Sequence, residues 1–358
     1  MSFERENIAQ IRGYLPGEQP SSSDVIKLNT NENPYPASPL VAEALSKIEV
    51  DELRRYPSAL ADEFCGIASR VHNINPENII PTNGGDELLR LILTTFAGEN
   101  DTLAITSPSY SLYPVLANIQ GCSLTEIPLD KDLNYPNELA ELLVNSSAKI
   151  CFLVNPHAPT GGLLPVKFID NLASNFKGVL VVDEAYSDFV DPALRYDCIP
   201  LINKHKNLLL LRTLSKGYSL AGLRFGYGLG DSELISPIKY KTRDSYNTDY
   251  ISQKLACAAL SSREYAMSTW EKIRKSRKSL SSKLEQLGLK FWPSQTNFIL
   301  VQMPDDPGAE YVYKKLKIDN ILVRHFDVNN LNDKIRITIG SESENKRLIS
   351  SLINILKV

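Results

Sequence analysis

Between residues 78 and 230 the chain repeats one pattern: a short apolar run, a polar turn, then a stretch with apolar residues at helical spacing. The runs NIIPT (78–82), TLAIT (102–106), ICFLV (150–154), VLVVD (179–183), NLLLLR (207–212) and FGYGL (225–229) are nearly continuous in apolar residues. Such strands suit a sheet covered on both faces, as a mostly parallel sheet is. Between them, DELLRLILTTF (86–96) spaces its apolar residues three and four apart, and PVKFIDNLASNF (165–176) opens on a proline suited to a helix's first turn. The alternation predicts an α/β fold, with a large, doubly wound domain over 36–245.

Beyond residue 246 the pattern changes. The charged helical stretch SSREYAMSTWEKIRKSRKSLSSKLEQLG (261–288) precedes short apolar runs at 297–302 and 334–339, and the ending ENKRLISSLINILKV is amphipathic. A smaller α+β domain over 246–358 is expected. Residues 1–35 are too irregular to form a domain alone and are expected to be an arm packing with the small domain and over the active site.

Composition narrows the classes. Apolar residues make up 43% of the 358 and charged residues 23%, which is globular, and a net charge of −3 gives no reason to bind nucleic acid or an acidic membrane. No run approaches the ~18 apolar residues of a membrane span. The first twenty residues carry acids from Glu4 onward and no apolar core, so no secretory leader is expected and the cytoplasm is the expected compartment. Five cysteines without a CxxC pair and four scattered histidines favour neither a disulfide framework nor a metal site.

Polar residues gather at the carboxyl ends of the expected strands, where open α/β sheets bind ligands. They are Asn83-Gly84-Gly85-Asp86, Asn155, Asp183 with Tyr186, and Ser215-Lys216. Two glycines between a strand and a helix let backbone approach a ligand, and N–H groups at the helix start favour an anion; a plain strand-to-helix turn is the competing reading. FGYGLG (225–230) meets GxGxxG only in part and reads as a strand. Ser215 and Arg224 can supply a hydroxyl and a guanidinium to one anion. Lys216 beside them would lie near that anion on an apolar floor, where desolvation and neighbouring positive charge lower an amine's pKa and keep it nucleophilic toward an aldehyde. Asp183 ends an apolar strand, where a buried carboxylate calls for a cationic partner, a pyridinium N–H among the candidates; an N-cap or structural ion pair competes.

SPSY (107–110), NPHAPTG (155–161), DEAY (183–186) and TLSKGYSLAGLRFGY (213–227), in this order and spacing, resemble the fold-type I aminotransferases that depend on pyridoxal 5'-phosphate. LNTNENPY (28–35), RRYP (54–57), NGGDE (83–87) and KIRITIG (334–340) are similar to the branch acting on histidinol phosphate in histidine biosynthesis, with glutamate and 2-oxoglutarate as the other pair. The resemblance implies that Lys216 holds the cofactor's aldehyde carbon and shuttles a proton. Asp183 would pair with the ring nitrogen, Asn155 and Tyr186 with the phenolic oxygen, and Tyr110 with the ring face. Gly85, Asp86, Ser215 and Arg224 would hold the phosphate, joined by Tyr56 from the neighbouring subunit of a homodimer. Arg336, assisted by Arg324, would grip the substrate's anionic group, with Tyr14 and Asn31 closing over it. The family commonly reads NPNNPTG where this chain has NPHAPTG; His157 and Ala158 alter the wall near the cofactor, and His157 reads as loop packing. Aromatic amino acid aminotransferases and a phospho-amino-acid (threonine phosphate) decarboxylase share this frame and stay open as alternatives.

Overall fold

The computed structural model describes residues 3–20, 22 and 24–357, and twelve strands occur among them. After β1 (Ile26–Lys27) come β2 (Ile79–Thr82), β3 (Thr102–Ser107), β4 (Ser123–Pro128), β5 (Ile150–Val154), β6 (Val179–Asp183), β7 (Leu208–Thr213) and β8 (Gly226–Gly230). β2 to β8 form one sheet in the order β2-β8-β7-β6-β5-β3-β4. β3 to β7 run parallel, whereas β8 is antiparallel to both β7 and β2. Each of the six runs expected from the sequence lies within one residue of a strand.

The unbroken apolar character has a direct cause. Leu103, Ile105, Ile150, Phe152, Val181, Leu209 and Leu211 share one buried cluster with Leu88, Leu89 and Ile92 of helix Gly84–Phe96 and Leu116 of helix Leu112–Gln120. The alternate residues Ala104, Cys151, Leu153, Leu180, Val182, Leu208 and Leu210 share another with Ile169 and Leu172 of helix Val166–Asn175. Both faces of each strand are therefore buried, and period-2 alternation carries no polar positions. The antiparallel β8 carries the glycines. A Cβ on Gly226 would stand 2.8 Å from the Gly84 carbonyl carbon and the Gly85 nitrogen, so only glycine lets the turn after β2 rest on this strand.

A second sheet, in the order β11-β12-β9, joins β9 (Phe298–Gln302), β11 (Arg324–His325) and β12 (Lys334–Thr338) in antiparallel pairs. Helix Arg263–Gln286 buries Trp270, Ile273, Leu280 and Leu284, and helix Glu342–Leu356 starts with a capping box between Ser341 and Glu344. The arm joins this region through β1, which pairs in parallel with β10 (Ile321–Leu322). Its first helix, Glu6–Ala9, lies against the large sheet's layer: Arg5 and Asn7 donate to the carbonyls of Ile119 and Asn118.

Candidate active site

The carboxyl ends of β3, β5, β6 and β7 converge on one rim, and β12 faces it. Asp183 closes β6 and is buried. Its Oδ2 accepts from Tyr113 Oη at 2.8 Å and its Oδ1 from the Ala185 N–H at 3.1 Å. Among the described residues no cation pairs with it, and burial pushes its carboxyl up to about 6 despite those two donors. Tyr113 is a site residue that the motifs do not reveal. It lies one helical turn after Tyr110, on the buried face of helix Leu112–Gln120.

Lys216 follows β7, partly buried, and its Nζ donates to the Thr30 carbonyl at 2.7 Å. Burial lowers the amine to about 8; Glu32 opposes that shift, and the positive charges of Arg336, Lys27 and Arg224 add to it. Glu32 is held by Lys27 and by Thr30 Oγ1, so the arm brings both a carbonyl and a carboxylate to the lysine.

The turn after β2 packs beside the loop after β7. Helix Gly84–Phe96 begins at Gly84, which has φ +78, and the N–H groups of such a first turn have no intrahelical acceptor. Arg224, itself left-handed at φ 57, reaches Asp86 Oδ2 at 3.4 Å, and Tyr110 Oη reaches Asp86 Oδ1 at 3.3 Å. Ser215 Oγ accepts from Thr213 Oγ1 at 2.9 Å.

Asn155, at the end of β5, is engaged by the protein itself. Its Nδ2 donates to the Leu164 carbonyl and to Tyr196 Oη, both at 3.0 Å, and its Oδ1 accepts from the Leu164 N–H at 2.8 Å. The side chain thereby clamps the 155–164 loop, and its amide hydrogens face Leu164 and Tyr196. Tyr196 continues the chain to Glu184, which is paired with Arg212 at 2.6 Å. His157 is fully buried, bonded through Nδ1 to Thr160 Oγ1 at 2.8 Å and edge-on to Tyr135; burial lowers its imidazole to about 4.

Tyr186 Oη accepts from Asn31 Nδ2 at 2.9 Å. Asn31, at φ 58, also exchanges two bonds with Thr338 Oγ1, and its carbonyl accepts from Asn297. Arg336 donates to the Asn29 carbonyl, lies over Phe298, and keeps its Nε buried without a partner. Arg324 is its cross-strand neighbour. Tyr14 sets its ring edge-on to Tyr110 at 5.7 Å. Tyr56 stands apart from this group: it is 80% exposed and stacks on Tyr246 at 4.4 Å.

These residues fit pyridoxal 5'-phosphate. A buried carboxylate without a cation suits a pyridinium N–H, and a helix start flanked by Arg224 and Ser215 suits a phosphate. Lys216 follows β7 directly after Ser215, with Arg224 among the charges that lower its amine.

Residues 23–352 match the aminotransferase class I and II family. Histidinol-phosphate aminotransferase 1 of Trichormus variabilis is 40% identical over 357 residues, covering 99% of both chains. The histidinol-phosphate aminotransferase of Geotalea uraniireducens is 41% identical over 350 residues, covering 97% of this chain and 98% of the relative. The crystal structure of histidinol-phosphate aminotransferase from Sinorhizobium meliloti in complex with pyridoxal 5'-phosphate superimposes with a TM-score of 0.88 at 24% identity, covering 100% of this chain and 98% of that one.

Proposed function

The chain belongs to the class I and II aminotransferases, and from that premise we propose that it transaminates L-histidinol phosphate against 2-oxoglutarate and, in the biosynthetic direction, imidazole acetol phosphate against glutamate. Relatives of that activity that are about 40% identical from end to end carry the choice of substrate. When bound, pyridoxal 5'-phosphate supplies an aldehyde and an electron-withdrawing ring that accepts the electrons of a cleaved Cα–H bond.

The chain's own residues do the rest. Asp183 would pair with the ring N–H, an attraction that offsets the desolvation of its carboxylate. Tyr113 and Ala185 hold that carboxylate in place. The N–H groups of Gly85 and Asp86, with Ser215 and Arg224, would hold the phosphate, and Tyr110 would cover the ring. Tyr186 would donate to the phenolic oxygen, its hydroxyl held by Asn31 Nδ2. Lys216 takes the proton from the donor's Cα through Nζ and returns it, a task for which a pKa near 8 suits neutral pH. Arg336 and Arg324 bind the carboxylate of glutamate or the phosphate of histidinol phosphate, and Tyr14 closes over them.

In this reading residues 36–245 carry the cofactor site, 246–358 the anion grip and 1–35 the covering arm. The exposed Tyr56, with Leu40, Leu45, Val50 and Leu53 also exposed, supports a homodimer in which Tyr56 reaches the neighbouring site. No helix of the described residues is long and apolar enough to cross a membrane, and a biosynthetic role suits the cytoplasm.

The test is turnover of histidinol phosphate with 2-oxoglutarate by the cofactor-loaded protein, with Lys216→Ala as control. Glutamate should form, initial-velocity lines should be parallel, and the variant should be inactive. Turnover of aromatic amino acids but not histidinol phosphate would leave the chemistry and replace the substrate. CO₂ release from threonine phosphate would replace the reaction.

A further inference from the structure

Arg324 and Arg336 stand directly opposite each other in the β11–β12 pair. Opposite residues of an antiparallel pair share a face, and like charges in that position repel. Neither arginine forms a salt bridge to a described residue. Both approach one aromatic ring: the guanidinium carbons of Arg324 and Arg336 sit 5.8 and 5.7 Å from the centroid of Phe326. Both are within cation–π range, so one quadrupole attracts two mutually repelling charges.

The ring is itself held. Phe326 packs on a cluster of Leu129, Leu133, Trp292, Leu300 and Leu331. That cluster joins the loop after β4 to the smaller sheet, and two polar contacts fasten it. Trp292 Nε1 donates to the Asp132 carbonyl at 2.6 Å, and Lys290 pairs with Asp132 at 3.1 Å.

We propose that Phe326 is the positioning residue of the anion grip, its ring holding the Arg324 and Arg336 guanidiniums side by side so that one carboxylate or phosphate meets both. This rests on reading Arg336 as the substrate's anion binder. The ring does not touch the reacting atoms. Arg336 is already tied to the Asn29 carbonyl and lies over Phe298, so the ring's part is to hold Arg324 beside it before the anion arrives, and pre-ordering of that kind appears as affinity rather than as chemical rate.

The experiment compares the cofactor-loaded wild type with Phe326→Leu, which keeps apolar volume but removes the π face, and Phe326→Tyr, which keeps the ring. Glutarate, a dicarboxylate without an amine, is titrated calorimetrically, and kcat and KM are measured separately for glutamate and L-histidinol phosphate. With Phe326→Leu the glutarate Kd and both KM values should rise on the order of tenfold, the loss of a partly desolvated cation–π contact, with kcat little changed. Phe326→Tyr should stay near wild type. If Phe326→Leu melts early, Phe326→Met takes its place.

An unchanged glutarate Kd, or a Phe326→Tyr variant as impaired as Phe326→Leu, overturns the proposal, the latter because the ring would then only fill space. If the wild type ignores histidinol phosphate but binds glutarate, the substrate reading fails and the titration still decides the role of Phe326. If the wild type binds no glutarate, the anion grip and this proposal fall together.

Discussion

Replacing Asp183 with asparagine should stabilise the cofactor-free protein while abolishing its activity. The carboxylate is buried at the end of β6 with two hydrogen-bond donors and no cation. Burial raises its pKa from the ordinary 3.8 to about 6. A rise of about two units corresponds to ~3 kcal/mol. Because the folded pKa lies above the unfolded one, the folded chain binds the proton more tightly. The contribution of Asp183 to wild-type stability is therefore greatest below pH 3.8, is lost as pH rises through about 6, and leaves the whole penalty above that. The asparagine amide has the same shape and no charge at any of these pH values. Its oxygen can still accept from Ala185, and its NH₂ can donate to Tyr113 Oη. Thermal unfolding of the two apoproteins should coincide near pH 4 and diverge by several degrees at pH 8, the variant melting later. Adding pyridoxal 5'-phosphate should narrow or reverse the gap, since the wild type, whose carboxylate can pair with the ring N–H, binds it more tightly and gains more stability from it. A gap that does not depend on pH, or a wild-type apoprotein that is the more stable above pH 6, would refute the reasoning. Asp183 would then have to be solvated or paired.

Two further outcomes follow from the same site. In the apoprotein, modification of Lys216 by an amine-reactive reagent, followed by peptide mass spectrometry, should reach half its maximal rate near pH 8; a midpoint at the ordinary 10.5 would mean that the amine is not desolvated. Gly226→Ala would push a methyl group to 2.8 Å from the Gly84–Gly85 backbone. At ~1–3 kcal/mol for such overpacking, cofactor affinity measured by absorbance titration should fall roughly tenfold or more, and an unchanged affinity would detach the turn from the phosphate.

The parallel core of the large sheet is legible because its strands are buried on both faces, and an unbroken run such as Leu208–Leu211 has few other places in a fold. β4 escapes the same reading. As an edge strand with polar Ser123, Thr125 and Glu126, it is largely open to solvent and offers no apolar run. β1 and β10 escape for another reason: each is two residues long, and they pair across nearly the whole chain. The reversal of β8 leaves no local trace beyond its glycines, which a close backbone approach requires.

The site divides in the same way. Lys216, Asp183, Ser215 and Arg224 stand at strand ends, where chain order alone brings them to one rim. Their partners do not follow from chain order. Thr30, which holds the Lys216 amine, is 186 residues away, and Thr338, which fixes Asn31 and through it Tyr186, is 307 residues from Asn31. Asn155 shows the same limit. Its position at the end of β5 is legible, but the direction of its amide depends on Tyr196 and Leu164, which later segments bring to it. The sequence thus names the candidate groups at the rim, whereas pKa and orientation belong to the groups folded against them. The arm is where this matters most. It supplies Lys216 with a hydrogen-bond acceptor and a carboxylate, Tyr186 with a donor and Arg336 with an acceptor, all from residues 29–32. Those four residues tie both sheets to the lysine, so a change in the arm should move the Lys216 pKa and the anion grip together.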